Sequence, residues 1–424
     1  MTSDDLDIAI IHANELVTLD SKLGIPRKGD NMSKLAVISD GALGIKDGKI
    51  SFVGKTTDFN SKYSSESCKT IINAKNRLIA PGFVDPHTHI IFKGSRENEL
   101  DMKLAGKSYL DILESGGGIL KSVRETRNAS LDELVENGKN ILDRMLRYGT
   151  TTIETKTGYG LSVEDEIKSL NAIQSLNNKH PIDIISTFMG AHAIPPEFKN
   201  NPEEYVDLII TQMLPQVKKN NLADFCDVFC EKGIFSVDQT KRILNAAKER
   251  GLKLQVHVDE IEDTDGAKLA AKLKVIQAGH LLKSNDEGLK AMAEVGVIAT
   301  LLPGTPFCLM LKEYAPARKM IDMGIPIALA TDLNPNCWTE SMQIVIALAC
   351  YMMKMSPAEA LTAATLNSAC AIDEHHRIGS LEVGKDADIN VFSVPNHQFL
   401  AYQFGVNLIS KVIKKGNIVI DTYS

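Results

Sequence analysis

The chain has 424 residues, 44% of them hydrophobic and 24% charged, with a formal net charge of −7. That length exceeds one small domain and the composition is that of a folded globular protein. The acidic balance, with lysines and arginines spread along the chain, argues against a nucleic-acid or anionic-membrane surface. The acidic start Met1-Thr-Ser-Asp-Asp-Leu-Asp7 lacks the basic and apolar regions of a secretory signal, and the apolar run Ile344 to Met353 is too short to span a bilayer. Seven cysteines include no CxxC pair, and Cys226 and Cys230, four apart, have no second pair to complete a zinc site. They read as free thiols of a reducing cytoplasm.

In chain order, Asp7 to Leu19 is rich in Ile, Val and Leu and predicts a strand. Ala42 to Gly54 predicts a hairpin turning at Asp47-Gly48, a favoured two-residue turn. Lys69 to Ala80 continues as extended chain. The tail mirrors this head: Asp386 to Phe392 predicts a strand, and Lys411 to Ile420 a hairpin turning at Gly416-Asn417. The two ends, 1–82 and 384–424, are expected to pair into one small β-sandwich domain, with 83–383 inserted between them.

The inserted segment alternates. Strand-like runs fall near 83–90, 149–156, 183–190, 225–231, 252–258, 274–281, 295–302 and 326–332. Helical periodicity lies between most of them, at Leu131 to Tyr148, Val163 to Ser175, Gln239 to Glu249 and Asn285 to Glu294. Eight strands with intervening helices over about 250 residues is the pattern of a (β/α)8 TIM-like barrel of the α/β class.

The strand endings carry the chemistry. The run Pro81-Gly-Phe-Val-Asp-Pro-His-Thr-His89 ends in two histidines that project to one face of a strand. His257 ends strand five, His280 strand six and Asp332 strand eight. In a barrel these positions share one rim. His87, His89, His257 and Asp332 form a donor set for one ion of zinc or another borderline divalent metal, with a position left for water, and such an ion lowers the pKa of that water from about 15.7 towards about 7. Strand four, Cys226 to Glu231, carries no lysine to bridge two ions, and Lys156 ends strand two instead, so one metal is expected. Glu260, three residues past His257, is placed as a general acid or base; its bland alternative is an exposed carboxylate of the acidic run Asp259 to Asp263. His280 is placed to stabilise an oxyanion, and Asp332 shares candidacy with Glu260 for proton transfer. Any single histidine is more often structural than catalytic. His12, His180, His375, His376 and His397 read as surface residues.

Several further motifs sharpen this picture: Asp85-Pro-His-Thr-His-Ile-Ile-Phe92 with Arg96, Gly116-Gly-Gly-Ile119 with Val123-Arg-Glu-Thr-Arg127, Glu154 to Leu161, Gly190-Ala-His-Ala-Ile-Pro-Pro196, Asp227 to Glu231, Ala330 to Pro335 and Gly379 to Asp388. With these the chain resembles the amidohydrolase superfamily over nearly its whole length, and within it the branch that opens the ring of 4-imidazolone-5-propanoate in histidine degradation. The resemblance implies metal-dependent hydrolysis of the lactam C–N bond to N-formimino-L-glutamate, by a homodimer. Activated water would attack the ring carbonyl while Glu260 and Asp332 carry the proton to the departing nitrogen. It implies substrate contacts from Arg96, Tyr159, His192, Glu260, Asn334, Asn336 and Cys337. Arg96 offers a carboxylate fork, for which the neighbouring Glu97 and Glu99 compete. Many members carry Gly and a small hydroxyl residue where this chain has Asn336-Cys337. Gly116-Gly-Gly118 reads either as a rim loop or as the start of a helix connection. The competing readings are an aromatic-base deaminase of the same superfamily, which would not need a carboxylate-binding set, and a non-catalytic scaffold, which would be expected to have lost metal ligands.

Overall fold

A computed structural model gives the structure of residues 5–107 and 116–422; residues 1–4 of the acidic start lie outside the described residues. The head of the chain forms β1 (Leu6–Val17), β2 (Val37–Lys46), β3 (Lys49–Lys55), β4 (Cys68–Asn73) and β5 (Leu78–Pro81). One glycine later the barrel begins, with β6 (Phe83–Thr88), β7 (Thr150–Lys156), β8 (Asp183–Ala191), β9 (Phe225–Cys230), β10 (Lys253–Val258), β11 (Gln277–His280), β12 (Ile298–Leu301) and β13 (Ile327–Leu329). The chain returns as β14 (Ile389–Phe392), β15 (Ile409–Lys414) and β16 (Asn417–Asp421).

Strands β6 to β13 pair in sequence order, and every ladder is parallel. Helices Leu131–Arg147, Val163–Lys179, Val237–Glu249 and Asp286–Val295 lie where the periodicity predicts them. Ser130 with Glu133, and Ser236 with Gln239, close reciprocal capping boxes that fix where two of them begin. The result is the expected (β/α)8 barrel.

The last barrel strand is three residues long, shorter than the pattern suggests, because the ring is closed beyond it. The Asp332 N–H donates to the His87 carbonyl (3.1 Å), and the His89 N–H donates to the Leu333 carbonyl (2.8 Å). The buried Asp85 carboxylate accepts from the Thr331 N–H (3.1 Å) and hydroxyl (2.6 Å). The seam between the first and last barrel strands therefore runs through the candidate metal ligands.

The two chain ends build one mixed sheet in the order β16-β15-β14-β5-β1-β2-β3, with β4 also on β1. The antiparallel pair β5–β14 joins head to tail. The sheet curls until its arms meet: the Ile50 N–H donates to the Lys385 carbonyl (2.9 Å) and the Ala387 N–H to the Gly48 carbonyl (2.9 Å). Leu43 and Ile45 from one arm then share a core with Ile389, Val391 and Ile413 from the other. The sandwich is one sheet folded over its own apolar face. The β15–β16 turn is Lys415-Gly416, one residue earlier than expected, with φ of 46° and 75°, and Asn417 already pairs with Lys414. Like Asp47-Gly48 (51° and 76°), it places glycine at the second of two left-handed positions, which leaves Asn417 to the strand.

This sheet sits on the N-terminal ends of the barrel strands. Asn390 Nδ2 donates to the Gly149 carbonyl at 2.8 Å. Asp183, the first residue of β8, accepts from Arg377 (2.6 Å), Lys414 (3.0 Å) and Lys415 (2.7 Å). Arg377 also reaches Asp386 at 2.8 Å, and Lys414 reaches Asp388 at 2.6 Å. His180, read from sequence as a surface residue, is instead buried by the turn into β8: its Nδ1 accepts from the Ile182 N–H (3.1 Å) and its Nε2 faces Asp143 (3.3 Å). Among the described residues no helix is long and apolar enough to cross a membrane.

Candidate metal centre and active site

The structure brings His87, His89, His257, His280 and Asp332 into one buried cup at the C-terminal rim of the barrel, each side chain no more than 5% exposed. Asp332 Oδ1 lies 3.5 Å from the Nε2 atoms of both His87 and His89, and His89 Nε2 lies 3.4 Å from His257 Nε2. A tetrahedron with arms of about 2.1 Å has edges of about 3.4 Å, so these three separations are those of zinc-type ligands. Protonation supports the fit. Asp227 Oδ1 accepts from His257 Nδ1 at 3.0 Å, which leaves His257 Nε2 with a bare lone pair aimed into the cup. Buried His87 Nε2 has no hydrogen-bond partner among the described residues. Burial, reinforced by Lys156 at His87 and by His192 at His89, pushes both imidazoles well below their usual pKa. Neutral imidazoles around a carboxylate are what a cation requires. His280 is near enough to join His87 and His257 in a second potential ligand trio.

Backbone conformation aims these groups. His280 (φ 71°) and Asp332 (φ 51°) both occupy the left-handed region, which is costly for a side-chain-bearing residue and recurs at functional sites. Thr305 Oγ1 donates to Asp332 Oδ2, leaving Oδ1 for the histidines. Gly279 lies beneath: a Cβ there would stand 3.0 Å from the His87 ring and press on it.

Glu260 is not an exposed loop carboxylate. Its Oε2 lies 3.6 Å from His280 Nε2, and burial raises its pKa to about 7. The loop is held by Glu231, whose carboxylate accepts the backbone N–H groups of Glu260 (3.1 Å), Ile261 (3.0 Å) and Glu262 (3.3 Å). Burial lowers His280 to about 4. The cup therefore pairs a carboxyl poised near neutrality with an uncharged imidazole.

The remaining predicted residues surround this cup. His192 stacks on His89 with ring centroids 5.0 Å apart, and its Nδ1 donates to the Gly158 carbonyl at 3.0 Å. Gly158 (φ 112°) permits this approach, since a Cβ would meet the His192 ring at 2.8 Å. Tyr159 is buried edge-on to both His89 and His192. The Arg96 fork is taken by Glu99, through Nε (2.9 Å) and Nη2 (2.7 Å). Asn334 braces its own loop: Oδ1 accepts from the N–H groups of Asn336 (2.8 Å) and Cys337 (3.1 Å), and Nδ2 donates to the Asp332 carbonyl (2.7 Å). Cys337 is buried, while Asn336 opens onto a cavity at the barrel mouth. Gly118 ends the glycine run as the cap of helix Ile119–Asn128.

The model of the amidohydrolase family matches residues 78–419. An imidazolonepropionase from Alkaliphilus metalliredigens is 50% identical over 418 residues, 98% of either chain. One from Geobacillus kaustophilus is 47% identical over 411 residues, 96% of this chain and 97% of its own. The chain belongs to the amidohydrolase family, on its imidazolonepropionase branch. Solved structures share the fold at low identity. They include an adenosine deaminase from Xanthomonas campestris with bound zinc (TM-score 0.72, 18% identical, 98% of this chain and 93% of that one) and E. coli guanine deaminase (TM-score 0.73, 16%, 97% and 98%).

Below the cup this amidohydrolase carries a charged cluster, built on the Lys156 that ends the second barrel strand. Lys156 is fully buried and contacts Glu154 (2.7 Å), Asp227 (3.1 Å) and Gln255 (3.0 Å). Against the penalty of burial, His257 and Lys156 hold Asp227 well below the usual carboxylate range. Asp227 thus links the lysine inside the barrel to a candidate metal ligand. The available signal was Glu154 and Lys156 two apart on one strand, and therefore on one face.

Proposed function

We propose that this chain hydrolyses the lactam C–N bond of 4-imidazolone-5-propanoate to N-formimino-L-glutamate, a step of L-histidine degradation, with one zinc or iron ion held by His87, His89, His257 and Asp332. The observation that carries this reading is the meeting of that donor set with the Glu260–His280 pair in one buried cup. The near-full-length similarity to imidazolonepropionases supports the choice of substrate. An ion in this position supplies Lewis acidity and an acidified water.

The chain's own residues do the rest. Glu260, poised near neutrality, takes a proton from the attacking water and delivers it to the departing ring nitrogen. His280 hydrogen-bonds the ring oxygen as it gains charge. Asp332, fixed by Thr305 and the seam, aligns the water. Tyr159 and His192 wall the ring, and Arg96 faces the propanoate. Asn334 shapes the loop that presents Asn336 and Cys337. Residues 83–383 form the catalytic unit, carried on the sheet built from 1–82 and 384–424. The seven free cysteines fit a cytoplasmic setting. A homodimer is part of the same reading, and Tyr351 and Phe404, in contact on an exposed apolar face, offer it a surface.

The test follows the imidazolone absorbance with metal-replete and metal-stripped protein. Metal-dependent decay yielding formiminoglutamate is expected. No turnover by the replete protein would overturn the reading and turn attention to other cyclic amides or ring deamination.

A further inference from the structure

A cavity of about 720 Å³ opens at the barrel mouth, bordered by Arg96, Lys103, Phe307, Tyr314, Asn336 and Trp338. It adjoins the cup: Trp338 packs edge-on to Phe92, which packs edge-on to Tyr159. Its charges are not all paired. Arg96 and Glu99 neutralise one another through two hydrogen bonds, and Glu99 Oε1 is fixed further by the Gly118 N–H at 2.8 Å. The carboxylate on the border, Glu97, lies in solvent and is turned to Ser95. Lys103 has no comparable partner. Its ammonium is half-buried and donates to the neutral Asn336 Oδ1 at 2.6 Å, and among the described residues it forms no ion pair of its own.

A half-buried cation held by an amide is stabilised by an arriving anion. Burial, followed by the charge of Arg96, already pushes the ammonium below its ordinary pKa, which shows how little local compensation it has. Asn336 fixes its direction. The loop carrying Asn336 is braced by Asn334 against the Asp332 carbonyl, which ties Lys103 through Asn336 to the backbone of a candidate metal ligand. With the Nε and Nη2 edge of Arg96 committed to Glu99, Arg96 alone leaves the mouth short of free donors.

We propose that Lys103 is a specificity-determining residue, the cation that selects substrates bearing a carboxylate, and that Asn336 is its positioning residue. This deepens the function proposed above and rests on it for the identity of the acid. It also gives the Asn336 departure a role: the amide is the hydrogen-bond acceptor that orients the lysine.

The experiment compares the metal-loaded parent with Lys103→Met and Lys103→Arg. Calorimetry measures binding of 3-(imidazol-4-yl)propanoate and of its carboxamide, and turnover gives KM and kcat on the imidazolone acid. The parent is expected to prefer the acid over the amide. Lys103→Met is expected to lose about ten-fold of that preference and to raise KM about ten-fold while kcat stays within about two-fold, the scale of one charge-assisted hydrogen bond. Lys103→Arg should keep most of the preference. A parent with no preference, or a Lys103→Met variant that keeps the parental preference and KM, overturns the assignment. Acid preference that depends on Lys103 in a parent that does not open the imidazolone ring upholds the cation's role and sinks the catalytic reading alone.

Discussion

The two ends of the barrel each gather ionisable side chains, and they treat them oppositely. At the base, Asp183, Arg377, Asp386, Asp388, Lys414 and Lys415 form a network in which carboxylates and cations alternate within hydrogen-bonding distance. At the rim, His87 Nε2 and His280 Nδ1 are buried without hydrogen-bond partners among the described residues, and burial raises both Glu260 and Asp332. Paired charges at the base fix how the terminal sheet meets the barrel. Unpaired ones at the rim are held ready for groups that arrive from outside. Aspartate is structural in one place and chemical in the other, and satisfaction of its hydrogen bonds and charge tells the two apart.

That contrast can be broken experimentally. The largest effect is expected from Glu260→Gln, which keeps shape but cannot carry the proton: kcat should fall about 10²- to 10⁴-fold with KM little changed. An intact kcat would remove Glu260 from the mechanism. Next is Asp227→Asn, which loosens the orientation of His257 and deprives Lys156 of a counter-charge. Metal affinity, read by chelator competition, should drop about 10- to 100-fold. At the base, Asp183→Asn should cost about 2–3 kcal/mol in denaturant unfolding while leaving kcat unchanged, because the lost pairs lie far from the chemistry. A fall in kcat at constant stability would show that the two ends are coupled.

The smallest effect sharpens the comparison through pH. Although burial opposes it, Lys414, Lys415 and Arg377 hold the Asp183 carboxyl well below the usual range. A depressed folded-state pKa gives stability that is present above the unfolded value of about 4 and is lost as pH falls through the folded value. The melting-temperature gap between the parent and Asp183→Asn should therefore be steady from pH 7 to about 5 and narrow below about 4. A gap that persists unchanged at pH 3 would mean that Asp183 acts by packing and not by charge.

Much of this was legible in the sequence because the ligands stand at strand ends, where an apolar run stops at a histidine or aspartate. His87, His89, His257, His280 and Asp332 all gave that signal, and alternation along 83–332 gave the barrel. Lys156 and Asp227 gave less. A charged residue inside a barrel interrupts a strand just as an exterior one does, and only the closed ring shows which face is enclosed. The competition for Arg96 was visible as Glu99 three residues away, but its outcome depended on the Gly118 N–H, which comes from a segment the local pattern does not connect. The Lys415-Gly416 turn was displaced by one residue because the sequence marks the glycine but not which of two left-handed positions it fills.

The pairing of β5 with β14 has a consequence for how the molecule is made. Synthesis delivers β1 to β5 first, yet the strand that covers the open edge of β5 emerges more than 300 residues later, after the whole barrel. Until then Ile79, and behind it Leu16 and Ile10, face a gap that Ile389, Val391 and Ile413 will fill. At about 5–20 residues per second, a nascent chain carries that unpaired apolar edge for at least about 15 seconds. The ribosome-bound intermediate, more than the finished enzyme, is where this fold is exposed to aggregation and where a chaperone would find its handle.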